Sequence, residues 1–183
     1  MSISLNGPGL WYATRAAGLV TLLLLTASVL LGVMTAGRFS SERWPRFLTT
    51  GLHRNISLLA GVFLVVHVGT TLIDTYVSIP VAATFVPFIS SYKTLWLGLG
   101  AIALDLLLVL VATSLVRSRL GHRSWRTMHW LAYACWPIAL AHGLGAGTDR
   151  DTVWVFALTI ACAAAVAAAA TWRLVATARA GAR

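Results

Sequence analysis

The chain has 183 residues, of which 58% are hydrophobic and 10% charged, and its mean hydropathy is +0.82. This composition excludes an ordinary soluble domain, because runs of about 20 apolar residues recur and each is long enough to cross a bilayer. The net charge of +9 does not indicate nucleic-acid binding, since the basic residues cluster at the ends of these runs. The expected fold class is all-α, a polytopic membrane helix bundle surrounded by lipid.

Taken in chain order, the apolar runs predict five transmembrane helices. They are expected at about residues 10–34, 53–73, 94–116, 125–143 and 152–177. The first run is too long for the hydrophobic region of a signal peptide, so it counts as a span. The apolar residues 75–92 contain Pro80 and Pro87, which favours a segment on the membrane surface over a further span. Residues 1–183 are expected to form one membrane domain.

The basic residues predict the orientation of the helices. Most of them lie in the connector after the first helix, in the connector after the third and in the tail: Arg38, Arg43, Arg46, Arg54, Arg117, Arg119, Arg123, Arg126, Arg173, Arg179 and Arg183. The other side has Arg15, Lys93 and Arg150. Basic connectors stay in the cytoplasm, so the amino terminus is expected outside and the carboxyl terminus in the cytoplasm.

Four histidines lie within or at the ends of the predicted helices. His53 and His67 are 14 residues apart on the second helix, which puts them about 21 Å apart along the axis and within about 40° of one face. His129 and His142 are 13 residues apart on the fourth. In the predicted orientation, His53 and His129 lie near the cytoplasmic face and His67 and His142 near the outer face.

Two histidines at each of two depths predict two haem b groups. Ionisable side chains inside a bilayer are costly and usually mark function, and neutral imidazole is a good ligand for iron. His53 and His129 are expected to hold the inner haem, and His67 and His142 the outer. On an ideal helix His142 lies about 140° from His129, so a change of winding near Pro137 is needed. A single haem with two spare histidines, or no haem, are the alternatives.

Three arginines are candidates for contacts with haem propionates. Arg54 and Arg126 lie close in sequence to the inner histidines, and Arg15 is the outer candidate. For Arg15 the alternative is an arginine that extends to the membrane interface. Asp105, in mid-helix, is either a functional residue, as the partner of a buried imidazole or in a proton-transfer step, or a neutral or hydrogen-bonded packing residue. His122 is either a solvated loop residue or an inner propionate contact.

The four-histidine pattern resembles a known family. The spacings His-x13-His and His-x12-His, with the segments 51–58 (GLHRNISL) and 126–133 (RTMHWLAY), resemble the ferric reductase-like transmembrane domain. That domain is shared by eukaryotic ferric reductases, NADPH oxidases and the haem-binding membrane subunit of the bacterial methionine sulfoxide reductase system. The resemblance covers about residues 10–175. It implies that electrons pass from a cytoplasmic flavin through the inner and then the outer haem to an acceptor outside.

The sequence departs from the oxidases and ferric reductases in one respect. Those proteins carry a FAD- and NAD(P)H-binding domain after the last helix, whereas no glycine-rich phosphate loop after a strand is found here. A separate donor is therefore expected, either a cytoplasmic flavin/NAD(P)H reductase or a quinol, and flavin enters only through such a partner. An outer-face flavoprotein or reductase is the corresponding acceptor, as in the stand-alone bacterial members.

The expected function is that of a diheme b-type membrane cytochrome of a bacterial-type inner membrane. It would pass electrons from a cytoplasmic donor to ferric iron, oxygen, a quinone or a partner flavoprotein, as an oxidoreductase or as the electron-transfer subunit of one. The alternatives are an unrelated diheme cytochrome b fold and a structural subunit without a cofactor. A third is a proton, ion or solute transporter that uses Asp105 and the histidines without haem.

Overall fold

The computed structural model describes residues 8–37, 41, 44–75, 77–149 and 151–181. Within these residues the secondary structure consists of helices, with one isolated bridge between Ser41 and Trp44. The helices are α1 (Pro8–Ala36), α2 (Arg46–Ile73), α3 (Ala82–Phe85), α4 (Thr94–Leu115), α5 (Arg117–Leu120), α6 (His122–His129), α7 (Ala132–Ala146) and α8 (Val153–Gly181). The all-α prediction is therefore confirmed.

Four of the described helices are long and apolar enough to cross a membrane. They cover Gly9–Ala36, Arg46–Ile73, Thr94–Leu115 and Val153–Arg179. Large apolar side chains on them, such as Val65 and Leu115, are 72% and 77% exposed, which suits helices that face lipid rather than water. The chain is an integral membrane protein, and its described part has four candidate spans where the sequence predicted five.

The missing fifth candidate is the predicted helix 125–143, which is divided into α6 and α7. Trp130 and Leu131 separate the two pieces, and the backbone N–H groups of Trp130, Leu131, Tyr133 and Ala134 each bond the carbonyl three residues earlier. Each residue in such a tight turn rotates about 120° instead of about 100°. The rotation carries His142 back toward the face of His129, as the prediction required, but it occurs before Pro137 and not at it.

Helix α2 begins earlier than predicted, at Arg46 instead of residue 53. Pro45 precedes its first residue, and the Pro45 carbonyl accepts the N–H of Leu48. A proline at the start of a helix costs nothing, because the N–H that it lacks has no intrahelical partner there. The Trp44 indole N–H donates to the Thr49 hydroxyl at 2.9 Å and secures this end. His53 consequently lies two turns inside the helix.

The segment between α2 and α4 contains no span in its described residues. The short helix α3 and the turns that follow pack on α4. Phe88 has a backbone φ of 67°, in the left-handed region that bulky residues rarely adopt. Its ring lies against Gly98 of α4, where any side chain would overlap it. This placement suits the predicted surface segment of residues 75–92.

The chain divides into two compact units. The first takes in the chain up to Leu19 together with Leu64–Thr148, and it contains α3 to α7 with α4 packed along α7. The second takes in Val20–Phe63 and the chain from Asp149 onward. Its buried residues include Val33 and Ala60, and the Trp172 ring packs on Gly37.

Candidate metal centre

His67 lies near the end of α2 and is held by the first turns of α1. Its Nδ1 donates to the backbone carbonyl of Thr14 at 2.8 Å. The Thr14 hydroxyl in turn donates to the Thr70 hydroxyl at 2.8 Å, one turn beyond the histidine. The ring packs directly on Gly18, since a Cβ at that position would lie 3.1 Å from Cε1 and Nδ1 of His67. Helix α1 therefore fixes both the position and the hydrogen bond of this imidazole.

His142 on α7 is held in the same way by α4. Its Nδ1 donates to the backbone carbonyl of Trp96 at 2.8 Å. The ring packs on Gly100, where a Cβ would lie 2.7 Å from Cε1 and Nδ1. That distance is too short for any side chain, so only glycine admits the imidazole at this point of α4.

The first unit brings His67 and His142 together, as the sequence predicted for the outer pair. Their ring centroids are 6.3 Å apart and their planes are inclined at 77°. A carbonyl oxygen can only accept, so both Nδ1 atoms carry a proton and both Nε2 atoms keep a lone pair for a metal. Two imidazoles on opposite sides of one ion, with metal–nitrogen distances of about 2.0–2.1 Å, have centroids about 6.3 Å apart. The ring separation therefore fits one metal ion that would be held between the two imidazoles, with Nε2 of each as a ligand.

The end of α7 beyond His142 is fastened to the start of α4. The Trp96 indole lies directly against Gly145, and Lys93 Nζ donates to the carbonyls of Gly145 and Ala146 at 3.3 and 3.0 Å. A cation at the carboxyl end of a helix satisfies carbonyls without intrahelical partners and offsets the helix dipole. These contacts keep the histidine-bearing part of α7 against α4.

Replacing Lys93 by methionine should loosen this end of the helix pair. The variant keeps an apolar stem but loses both hydrogen bonds to the α7 carbonyls, and hydrogen bonds from charged donors are each worth about 1.5–3 kcal/mol. We expect a lower thermal unfolding midpoint of the purified protein in detergent. Arg119→Met, on an exposed residue of α5, is the control. It should change the free energy of unfolding by less than about 0.5 kcal/mol and so leave the midpoint close to that of wild type. Equal midpoints for the two variants would contradict the fastening role.

The second unit holds His53 by the same kind of contact. Its Nδ1 donates to the Ser28 carbonyl at 2.9 Å, with the Ser28 hydroxyl 3.4 Å away. The Ser57 hydroxyl donates to the His53 carbonyl at 2.7 Å, so Ser28 must be the donor in the 2.6 Å contact between the two hydroxyls. A Cβ at Gly32 would lie 3.4 Å from the imidazole. His53 therefore carries its proton on Nδ1, as His67 and His142 do.

His129, in the first unit, has different surroundings. It is the last residue of α6, and its ring stacks on Trp125 with centroids 5.0 Å apart and planes 25° apart. The Arg117 guanidinium lies 4.4 Å above the same indole, whose N–H reaches the Ser114 hydroxyl at 3.4 Å. Because His53 and His129 belong to different units, their pairing as inner ligands stays a prediction.

The other predicted site residues take varied positions. Arg15 follows Thr14, whose carbonyl bonds His67, on α1, and its guanidinium lies 4.0 Å from the centroid of the Trp11 ring. Arg54 and Arg126 are exposed, on α2 and α6. Their contacts with propionates stay predictions. Asp105, also singled out in the sequence, is half-buried in mid α4, and His122 is exposed as the first residue of α6 with its ring 5.9 Å from that of Trp125. Four of the arginines that predicted the orientation lie outside the described residues: Arg38, Arg43, Arg150 and Arg183.

Two kinds of group at this site were missed in the sequence: the backbone carbonyls that accept from the histidines, and the glycines beneath the rings. One signal could have revealed them, because α1 contains Thr14-x3-Gly18 and Ser28-x3-Gly32 at the same 14-residue spacing as the histidines of α2. In the described part of the chain no group of three or more histidine, cysteine, aspartate or glutamate side chains could hold a metal ion.

Comparison with known proteins gives one match. Residues 17–140 match the model of the family described as ferric reductase like transmembrane component. The matched region contains His53, His67 and His129, and it ends two residues before His142. Searches of curated proteins and of solved structures give no match.

Proposed function

Because this chain belongs to the ferric reductase-like transmembrane family, we propose that it is a diheme b-type membrane cytochrome. Domains of this family generally bind haem, and the family indicates a role in electron transfer at a membrane. The proposal adds that two haems lie at two depths and that electrons cross the bilayer from a cytoplasmic donor to an outer acceptor.

The observation that carries the proposal is the His67 and His142 pair. The rings are 6.3 Å apart, each with Nδ1 bonded to a backbone carbonyl and Nε2 left as the donor to a metal. The two residues would hold the outer haem, which supplies reversible one-electron chemistry when bound. The protein provides the ligands, apolar walls that exclude water, and hydrogen bonds that set the basicity of both imidazoles.

The inner haem would be held by His53 and His129. His53 supports this assignment because it has the same carbonyl-bonded Nδ1 as the outer ligands. His129 supports it because its ring is oriented by stacking on Trp125. Arg54 and Arg126, next to these ligands in sequence, would neutralise inner propionates, and Arg15 would do so on the outer side.

We propose that α6 and α7 together form the fifth crossing. Residues 122–146 with a rise of about 1.5 Å each cover about 37 Å, which exceeds the hydrocarbon thickness of about 30 Å. With five crossings the amino terminus lies outside, and the basic residues of α5 and α6 face the cytoplasm. The membrane would be a bacterial-type inner membrane.

The proposed partners follow from the direction of electron flow. A separate cytoplasmic flavin/NAD(P)H reductase or a quinol would reduce the inner haem. Ferric iron, oxygen, a quinone or an outer-face flavoprotein or reductase would take electrons from the outer haem. The chain itself would act as an oxidoreductase or as the electron-transfer subunit of one.

The test is the haem content of the purified full chain. The wild type should contain two haem b groups per polypeptide, measured by the pyridine haemochrome spectrum against protein concentration, with a Soret band that shifts on reduction by dithionite. Protein expressed with haem precursor and still without a Soret band would overturn the cytochrome proposal. Transport through Asp105 and the histidines would then become the function to test, by proton uptake into vesicles.

A further inference from the structure

Three of the four predicted haem ligands share one local arrangement on the helix that faces them. His67 bonds the Thr14 carbonyl and packs on Gly18, and His142 bonds the Trp96 carbonyl and packs on Gly100. His53 repeats this with the Ser28 carbonyl and Gly32. In each case the glycine follows the carbonyl residue by four positions. We call these three sets, Thr14 with Gly18, Ser28 with Gly32 and Trp96 with Gly100, the carbonyl–glycine pairs.

The spacing of four has a physical reason. In an α-helix the carbonyl of residue i accepts the N–H of residue i+4, and it keeps a second lone pair for another donor. An imidazole that approaches this lone pair from the side passes over residue i+4. A Cβ there would lie 2.7 Å from the ring at Gly100, 3.1 Å at Gly18 and 3.4 Å at Gly32. Glycine therefore gives the ring access to a carbonyl that the helix otherwise covers.

In the two pairs on α1 a hydroxyl group adds a second link. Thr14, whose carbonyl accepts from His67, donates its hydroxyl to Thr70 at 2.8 Å. Ser28, whose carbonyl accepts from His53, contacts the Ser57 hydroxyl at 2.6 Å. In both pairs, the residue whose carbonyl accepts the hydrogen bond from the imidazole is therefore also bonded, through its hydroxyl, to a hydroxyl about one turn beyond the histidine.

We propose that the carbonyl–glycine pairs are positioning sites that set the tautomer, the rotation and the electron-donor strength of the haem ligands. A carbonyl on Nδ1 keeps the proton there and makes Nε2 the metal ligand, and a shorter hydrogen bond makes that ligand more basic. A more basic ligand stabilises the ferric state and lowers the midpoint potential. The glycine controls this bond length through the space that it leaves. This role rests on the proposed function, because it acts through a bound haem.

The first test replaces the glycines by alanine in the full chain. Gly100→Ala and Gly18→Ala should weaken binding of the outer haem by about 10–100-fold, as is usual when the partner of a ligating histidine is disturbed. Gly32→Ala should have a smaller effect on the inner haem, since 3.4 Å is an ordinary contact. Gly9→Ala and Gly69→Ala are matched controls, because a Cβ meets nothing within 4 Å at either position. Haem per polypeptide and the midpoint potential of each haem are measured in all five variants.

A second test keeps the glycine and alters the hydroxyl link. Thr14→Val removes the bond to Thr70 with little change in shape, whereas Thr14→Ser keeps it. We expect Thr14→Val to retain both haems, to raise the potential of the outer one, and to move the low-field g value of its ferric electron paramagnetic resonance signal, which depends on the angle between the imidazole planes. Thr14→Ser should restore both values.

The outcomes separate this role from the proposed function. A wild type without haem overturns the function and the positioning role together. A diheme wild type whose Gly18→Ala and Gly100→Ala variants match the Gly69→Ala control in haem content and potential overturns the positioning role alone. If the glycine variants do not fold, the Thr14 variants decide: an unchanged potential and g value in Thr14→Val also overturns it.

Discussion

Replacing His67 by alanine is expected to remove one of the two proposed haems and to leave the other spectrally intact. The two histidine rings of the proposed outer pair lie 6.3 Å apart, so each would supply one ligand to the same proposed iron. Loss of either imidazole leaves a position that alanine does not fill. Haem per polypeptide should fall to half of the wild-type value, and His142→Ala should give the same result.

His122→Ala is the matched control for this experiment. His122 is exposed at the first residue of α6 and is the one histidine outside the predicted ligand set. Its loss should leave the haem content unchanged. Full haem content in His67→Ala would show that another group ligates the outer iron. Loss of both haems in His67→Ala, with the protein still folded, would show that the two sites do not load independently.

Replacing Gly145 by alanine is expected to have the largest effect on stability. Gly145 is buried and carries the Trp96 indole directly on its backbone, so that an added methyl group would overlap the ring. The backbone of Trp96 is itself bonded to α7, because its carbonyl accepts from His142. Overfilling a packed contact usually costs about 1–3 kcal/mol, and here it separates α4 from α7. We expect a markedly lower thermal midpoint in detergent, with weaker haem retention.

Gly143→Ala provides the comparison two residues earlier on the same helix. Gly143 is exposed and a Cβ there meets nothing within 4 Å. Because alanine favours helix over glycine by about 0.8–1 kcal/mol, this variant should be as stable as wild type or slightly more so. Similar midpoints for the Gly145 and Gly143 variants would mean that the indole can leave the helix surface without cost.

Much of the membrane architecture follows from the sequence alone. Apolar runs long enough to span a bilayer depend on composition and length, which are local properties, and four of the five predicted spans correspond to described helices. The resemblance to the ferric reductase-like family is confirmed by the match over residues 17–140. The expectation that His67 and His142 lie together followed from helix direction and spacing, and the structure places the centroids of their rings 6.3 Å apart. Their role as ligands stays a prediction.

Helix boundaries were less predictable. The start of α2 at Arg46 depends on Pro45 and on the Trp44 contact with Thr49, which hydropathy does not register. The break between α6 and α7 at Trp130 and Leu131 lies within an apolar stretch for which hydropathy predicts one continuous helix. Pro137 lies on the predicted helix that changes its winding, but the tight turn occurs at residues 130–134, before the proline.

By itself the sequence determined that this is a membrane protein with histidines on two helices at matched spacing. Hydropathy and helical periodicity depend only on which residues follow one another along the chain. Only the tertiary structure decided which groups hold those histidines. Every residue carries a backbone carbonyl, so nothing in the residue type of Thr14, Ser28 or Trp96 distinguishes it as an acceptor. Likewise Gly18 and Gly100 differ from Gly69 only in what lies above them. The histidine ring that packs on Gly18 or Gly100 comes from another helix, so its presence depends on contacts between residues far apart in the chain.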